Sequence, residues 1–301
     1  VAISIKGGGS DLVQVADNGQ GMGRDDALAA FDRFATSKLR SDGDLGKLGT
    51  LGFRGEALPS IASVSRLRLL TCEQGGSEGT EVSLVGGTVR DVRPAARRPG
   101  TTVEVSSLFF NTPARRKFLR SDRVEVRRTL EVIQEYAVLY PELRIDVSID
   151  GKPSLSLLPT GDRRQRLAAL VGAGASGDLL ELAGESGGYA LSGFAGKPSL
   201  ARARGVLQVI AVNRRPIRSR ALSAAVRSGY AELLPKDRQP LVLVLLERTV
   251  VHEAERVVAA VAERPGFGQP LFVSAATAAQ DTETARAARE RRRPHCRHSL
   301  L

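Results

Sequence analysis

Asp17-Asn18-Gly19-Gln20-Gly21-Met22 places one carboxylate and two glycines in a single short loop. A carboxylate there can accept a hydrogen bond from an exocyclic amine, and the glycines let backbone approach a flat base. The same D-x-G-x-G spacing also makes an ordinary tight turn with Asn-Gly chemistry, so the loop alone does not separate the two. A second run, Leu48-Gly49-Thr50-Leu51-Gly52-Phe53-Arg54-Gly55-Glu56-Ala57, carries glycines directly into a predicted helix. Free N–H groups and the positive end of a helix dipole suit phosphate oxygens. Lys38, in Thr36-Ser37-Lys38, can add a point charge. No G-x-x-x-x-G-K-[ST] occurs, so a nucleotide site here uses a cradle other than a P-loop.

Two further stretches carry polar chemistry. Thr101-Thr102 opens a predicted strand after Pro99-Gly100, where a hydroxyl can serve a base or a bridging water. A β-branched residue is equally at home there as a strand former. Leu108-Phe109-Phe110-Asn111-Thr112-Pro113-Ala114-Arg115-Arg116-Lys117-Phe118 is an apolar anchor, a turn, three consecutive cations and another aromatic. The alternative is a solvated charge run. The proline and the flanking phenylalanines favour a structural role for this loop, pinned by its aromatics. His295-Cys296-Arg297-His298 has metal-ligand residue types without the spacing of a closed zinc site. His252 reads as exposed on a helix face and Cys72 as a core residue.

These residues need elements to position them. Val1–Ile5 and Leu12–Ala16 alternate apolar and polar around Gly7-Gly8-Gly9-Ser10, which predicts a hairpin. Helices are predicted over Asp25–Phe34, Phe53–Val64 and Asp122–Tyr140, with short strands at Arg66–Cys72, Thr80–Val85, Thr88–Val92 and Thr101–Ser106. Leu143–Ile149 alternates and is followed by Asp150-Gly151, a hairpin turn signal. Near Thr160 a second unit begins. It has helices at Arg163–Leu170, Ser219–Leu234 and Arg248–Val261, and strands at Leu179–Leu182, Ala190–Phe194, Val206–Val212 and Leu241–Leu246.

Composition bounds the whole. The 301 residues allow about two domains. Hydrophobic residues are 42% and charged residues 26%, which excludes a chain disordered throughout. The longest apolar runs fall far short of the roughly 18 residues of a membrane span. Two cysteines exclude a disulfide scaffold. A net charge of +11 points to a polyanionic partner, although Arg-rich composition and a basic tail around Arg291-Arg292-Arg293 would also produce it. Trp is absent and there are four Tyr, which weakens the case for aromatic base stacking.

Three segments resemble the MutL family of DNA mismatch-repair ATPases, in the wider class of gyrase B, Hsp90 and histidine kinases. They are DNGQGM; TSK with LGTLGFRGEALPSIASV; and GTTVEVSSLFFNTPARRKFLR. The first is shared across the class, whereas FRGEA and FFNTPARRKF are specific to the family. A fourth segment, Val212-Asn213-Arg214-Arg215-Pro216-Ile217, resembles the family's second subdomain, and the resemblance spans residues 1–262.

The resemblance implies an α/β (α+β) fold in three parts. Residues 1–159 would be a two-layer sandwich ATP-binding domain, a mixed sheet with helices on one face, incomplete at its N-terminus. Residues 160–262 would resemble ribosomal protein S5 domain 2, and 263–301 would be a linker or disordered basic tail. It implies ATP with Mg²⁺ as cofactor. Asp17 would hold the adenine amine, Gly19 and Gly21 would lie in the same loop, and Thr101 would support the contact. Lys38, Gly49, Gly52, Phe53, Arg54 and Gly55 would form the phosphate-side lid. Arg227, with Arg218 and Arg220, would bind DNA phosphates without sequence preference.

The implied partners are DNA, a mismatch-recognition protein of the MutS type and a second copy of the chain, in the bacterial cytoplasm at the nucleoid, with no membrane. The family's general-base Glu and Mg²⁺-holding Asn stand before the hairpin that opens this sequence, so no catalytic residue and no metal ligand are assigned. The family's N-V-H-P-x-K segment, whose Lys reaches the γ-phosphate, is also unmatched. Glu247 instead runs into Arg248-Thr249-Val250-Val251-His252-Glu253, and an internal loss at Glu247–Arg248 is the simplest account. Two other functions stay open: an inactive fragment or DNA-binding scaffold, and another ATPase of the class, a chaperone or topoisomerase.

Overall fold

Alternation in the first residues is the start of a sheet that occupies most of the first half of the chain. The computed structural model describes residues 1–32, 56–186, 188–203 and 207–248. The chain divides into two units, Val1–Arg166 and Leu167–Leu301. The division lies within α5 (Arg163–Val171) and not at 159/160. The buried Arg166 explains this, since its Nη2 donates to the carbonyls of Pro141 and Leu143 and ties the first turn of α5 to the first unit.

The first unit holds an eight-stranded mixed sheet in the order β5-β4-β3-β6-β2-β1-β7-β8. Its strands are β1 (Ala2–Lys6), β2 (Leu12–Ala16), β3 (Arg66–Cys72), β4 (Gly79–Val85), β5 (Thr88–Ala95), β6 (Gly100–Ser106), β7 (Ile145–Ile149) and β8 (Lys152–Leu157). Only β1 and β7 pair in parallel, and the long helix α4 (Asp122–Leu139) carries the chain from β6 to β7. Strand β8 is the hairpin partner signalled by Asp150-Gly151, both at positive φ. Its Pro153 and polar residues hide it from an alternation test, and an edge strand tolerates both.

The two faces of this sheet differ as residue types dictate. Leu67, Leu69, Val82 and Leu84 are buried under α1 (Arg24–Ala29) and α2 (Ala57–Ala62), joined by Met22, Leu28, Phe31 and Leu58. The alternate residues carry a charge ladder across five strands. Gln14 donates to Glu104 (2.7 Å), and Arg68 bridges Glu104 (3.1 Å) and Glu81 (2.8 Å). Arg93 closes the row on Glu81 (2.7 Å). The described part of α2 ends at Ala62, where the Ser63 and Ser65 hydroxyls bond carbonyls of the last turn. Helix α1 ends at Ala29 and tightens into i→i+3 turns through Phe31 and Asp32.

The second unit holds a five-stranded sheet in the order β12-β11-β13-β10-β9. These are β9 (Leu179–Ser186), β10 (Tyr189–Gly196), β11 (Gln208–Val212), β12 (Arg215–Pro216) and β13 (Val242–Arg248). Strands β11 and β13 are parallel and are joined through α6 (Arg220–Gly229). Val226 and Tyr230 pack with Tyr189, Leu191, Ile210, Val242, Val244 and Leu246 in its core. The Ser219 hydroxyl caps α6 by accepting from Leu222 N (3.3 Å). The helix stops at Gly229 rather than Leu234, and the chain leaves through tight turns at Ala231 and Leu233. Arg248 ends a strand and does not begin a helix, and the rest of the predicted 248–261 helix lies outside the described residues.

Candidate functional site

The loop after β2 is built around one carboxylate oxygen. Asp17 Oδ1 accepts from Gly19 N (2.8 Å) and from Thr101 N at the head of β6 (3.1 Å). The Asp17 backbone N in turn donates to Thr101 O (2.8 Å). The half-buried Asp17 is therefore held rigidly by one oxygen, while Oδ2 has no hydrogen-bond partner among the described residues. Two side chains, one from β3 and one from the loop before β6, complete the corner. The buried Thr71 hydroxyl accepts from Met22 N (2.9 Å) and lies 3.0 Å from the Thr101 hydroxyl. Arg97 donates to the carbonyls of Asp17 (3.0 Å) and Gly100 (3.1 Å) and reaches the Thr102 hydroxyl.

Gly21 is required here by the protein's own backbone. Its φ is +67°, and a Cβ would lie 1.7 Å from the Cys72 carbonyl oxygen. Gln74 N donates to Gln20 O (2.8 Å) beside it. At Gly19 a Cβ would sit 3.1 Å from Asp17 Oδ1, crowding the same carboxylate. Asp17, Gly19, Gly21 and Thr101 therefore meet in one place. Lys38, Gly49, Gly52, Phe53, Arg54 and Gly55 lie outside the described residues.

Thr71 and Arg97 escape a reading of the sequence. Nothing local marks a threonine in an alternating strand, or one arginine of an Arg-Arg pair before a Pro-Gly turn. Thr71 acts through the pairing of β3 with β6, where it stands opposite Thr101, and Arg97 through the pairing of β2 with β6, which brings Asp17 beside Gly100 and Thr102.

The basic loop divides into two halves. Phe109 (φ +62°) donates from its N–H to Val64 O (2.7 Å), Asn111 Nδ2 donates to Ser63 O (2.9 Å), and the Arg66 guanidinium lies 5.2 Å from the Phe110 ring centre. This half is the expected structural anchor. The other half is not: Arg115, Arg116 and Lys117 are exposed, and Phe118, expected to pin the loop, is 83% exposed.

In the second unit a cavity of about 460 Å³ opens at the N-terminal turn of α6. Arg218, Arg220 and Arg227 all line it, with Ser219 and Ser223 from the helix, Gln208 and Ile210 from β11, and Ile217 and Gln239. Arg220, Ser223 and Arg227 follow the i, i+3, i+7 spacing of one helix face. No carboxylate is among its lining residues, so the recess is positive and suited to phosphate. Among the described residues no group of three or more His, Cys, Asp or Glu is placed to hold a metal, and no helix is long and apolar enough to cross a membrane.

Residues 167–251 match the family model "DNA mismatch repair protein, C-terminal domain". DNA mismatch repair protein MutL of Trichlorobacter lovleyi is 43% identical over 247 residues, covering 82% of this chain and 41% of that protein. The chain thus spans about two fifths of the length of the curated relatives it matches. The Aquifex aeolicus MutL ATPase domain complexed with ADP is similar in structure, with a TM-score of 0.59 and 27% identity over 82% of this chain and 83% of that one. The N-terminal domain of a DNA repair protein superposes with a TM-score of 0.71 over 95% of this chain and 89% of that one. At 23% identity it speaks to the fold alone.

Proposed function

This chain belongs to the MutL family of DNA mismatch-repair proteins, and from that premise we propose that its first unit binds ATP at the Asp17–Thr101 corner. The observation that carries this is the division of labour in Asp17: Oδ1 is locked by two backbone N–H groups, and Oδ2 is left to accept from an adenine amine. Thr71, Thr101 and Arg97 hold the corner in shape, so little conformational freedom is lost on binding. The likeness to an ATPase domain complexed with ADP supports the same nucleotide class. Bound ATP would supply a triphosphate whose negative charge Mg²⁺ would partly neutralise.

The second unit contributes DNA binding. Three arginines converge on the α6 recess, and phosphate contacts of this kind set affinity without reading sequence. ATP-driven pairing of two copies and a MutS-type mismatch-recognition partner complete the proposal by family membership, with the cytoplasm and nucleoid as its place.

Calorimetric titration of the 301-residue chain with ATP and with inosine triphosphate, which lacks the amine, tests the nucleotide site. ATP is expected to bind at least tenfold more tightly. Equal affinities would remove Asp17 as the base-reading group.

A further inference from the structure

The α6 recess holds more than a phosphate contact on a duplex requires. A duplex carries its phosphates on a convex surface, and cations on a flat or ridged face meet them. Here the exposed Arg218, Arg220 and Arg227 belong to a concavity of about 460 Å³. That volume falls within the range of roughly 300–1,000 Å³ typical of small-ligand sites. Arg220 and Arg227 have no carboxylate partner among the described residues. The same concavity is lined by the buried Ile210 and by two half-buried amides, Gln208 and Gln239.

The two glutamines are what phosphate binding does not explain. Gln208 and Ile210 stand two apart on β11, so they share the sheet face that packs against α6. Gln208 Nε2 donates to Gln239 Oε1 (3.3 Å) and to Pro240 O (3.3 Å), which uses both of its hydrogens. Arg202 and Gln239 exchange backbone hydrogen bonds (3.0 and 2.7 Å) that fix the segment carrying Gln239. Each amide keeps one polar atom, Gln208 Oε1 and Gln239 Nε2, with no hydrogen-bond partner among the described residues. One is an acceptor and the other a donor. A DNA sugar-phosphate backbone offers acceptors alone and leaves Gln208 Oε1 unanswered. A nucleobase edge carries a donor beside an acceptor and answers both. Ile210 adds an apolar surface for the base.

We propose that the α6 recess is a binding site for a free nucleoside triphosphate, with Arg218, Arg220 and Arg227 on the phosphates and the Gln208–Gln239 amides on the base, and that its occupation shuts DNA out of the second unit. The exclusion rests on the DNA reading of the same arginines, whereas the nucleotide site stands without it. Two ligands that need the same guanidinium groups weaken each other reciprocally. Nucleotide concentration would then set how much of the chain is free to engage DNA. This site uses nothing from the Asp17 corner.

Inosine triphosphate is the probe, because it lacks the amine that the Asp17 corner would read. The full chain is titrated with it by calorimetry. A labelled duplex is then displaced with it in an anisotropy assay, at an ionic strength matched with sodium chloride. The parent is expected to bind one equivalent, at least about fivefold more tightly than inorganic tripolyphosphate. Arg227→Glu is expected to weaken inosine triphosphate by at least about tenfold. Lys152→Glu, the same charge change at an exposed position of the first unit, should alter it by less than about twofold. Gln208→Leu is expected to weaken inosine triphosphate by about 5- to 10-fold and tripolyphosphate by less than about 2-fold, a split that a folding defect would not produce. The comparison of the two probes on the parent needs no variant and decides the base contact if Gln208→Leu fails to fold. No inosine triphosphate bound at about 1 mM, binding unmoved by Arg227→Glu, or tripolyphosphate bound as tightly would overturn the nucleotide site. A duplex that stays bound while the recess fills would overturn the exclusion. Absence of duplex binding by the parent would remove the DNA reading and the exclusion with it, while calorimetry still decides the nucleotide site. ATP titrated into the Arg227→Glu chain reports on the Asp17 corner separately.

Discussion

Asp17 serves the fold through Oδ1 and, in the proposed site, the ligand through Oδ2, and a conservative substitution separates the two. In Asp17→Asn the side-chain oxygen can still accept from Gly19 and Thr101, while the amide NH₂ now faces the amine that Oδ2 would have received. ATP affinity is expected to fall by about 10- to 100-fold, the worth of a charge-assisted hydrogen bond, with stability changed by less than about 1 kcal/mol. Calorimetry and thermal melting on the same sample check both halves. A loss of stability as large as the loss of affinity would show Asp17 to be a structural residue only.

Tyr230 is the corresponding case with no ligand. Its buried hydroxyl donates to Gly196 O (2.8 Å), and burial pushes the phenol up to about 12. A raised phenol pKa means that the folded state favours the proton. The stability from this group is therefore complete below pH 10, its ordinary value, and is lost as pH rises towards 12. Tyr230→Phe is expected to cost about 1 kcal/mol at neutral pH and to flatten the alkaline end of the stability profile. Chemical denaturation at several pH values measures both.

At the scale of elements, the polar face of the first sheet is held by a row of side chains rather than by packing. The Arg68 guanidinium, and after it Arg93, holds the Glu81 carboxyl below its ordinary range against the opposing effect of burial. A depressed carboxyl stabilises the fold above its unfolded pKa, and that stability is lost as pH falls through the folded value. Acid below about pH 4 should therefore weaken the β3–β4–β5 region first. Arg68→Ala should lower stability at neutral pH by about 1 kcal/mol, because the pair is partly exposed. It should also leave a shallower acid dependence, which urea denaturation across pH 3–7 would reveal. The second sheet depends on its crossover helix, and Ser219→Ala removes the α6 cap at a cost of about 1 kcal/mol. Loss of the cap should also loosen the arginines of the recess. A melting temperature unchanged by this substitution would show that core packing through Val226 and Tyr230 alone holds the helix.

At the scale of the whole molecule, the proposed DNA contact rests on a net charge of +11, which would attract a polyanion from any direction, and on the arginines of the α6 recess, which would give it a place. Arg227→Glu is expected to lower affinity uniformly across DNA sequences and to flatten the salt dependence by about one unit of slope. Titration across a salt series checks this, and a larger loss on deleting residues beyond Arg286 would move the contact to the basic tail. Arg115 is exposed, so Arg115→Glu is expected to leave the melting temperature unchanged, although the loop sequence favours a structural role.

Much of this molecule follows from local chemistry. Alternation marks β1, β2, β3 and β6, helical spacing marks α4, and Asp150-Gly151 marks a hairpin, because each depends on residues a few positions apart. The Asp17 loop is legible as a tight Gly-rich turn for the same reason, whereas its residue types alone do not separate a turn from a binding loop. Strand β8 and the end of α6 are less legible, since an edge position tolerates Pro153 and Gly229 stops a helix that apolar spacing would continue.

What only the tertiary structure decided depends on residues far apart in the chain. Thr71 reaches the Asp17 corner because β3 pairs with β6, and Arg97 because β2 pairs with β6, and neither residue type announces that role. The three phenylalanines of one loop look alike in sequence. Yet the Phe109 backbone is tied to Val64 and Phe110 lies under Arg66, while Phe118 is 83% exposed. Burial is a property of the surface that arrives to cover a side chain, and in this loop that surface comes from residues more than forty positions away in the sequence.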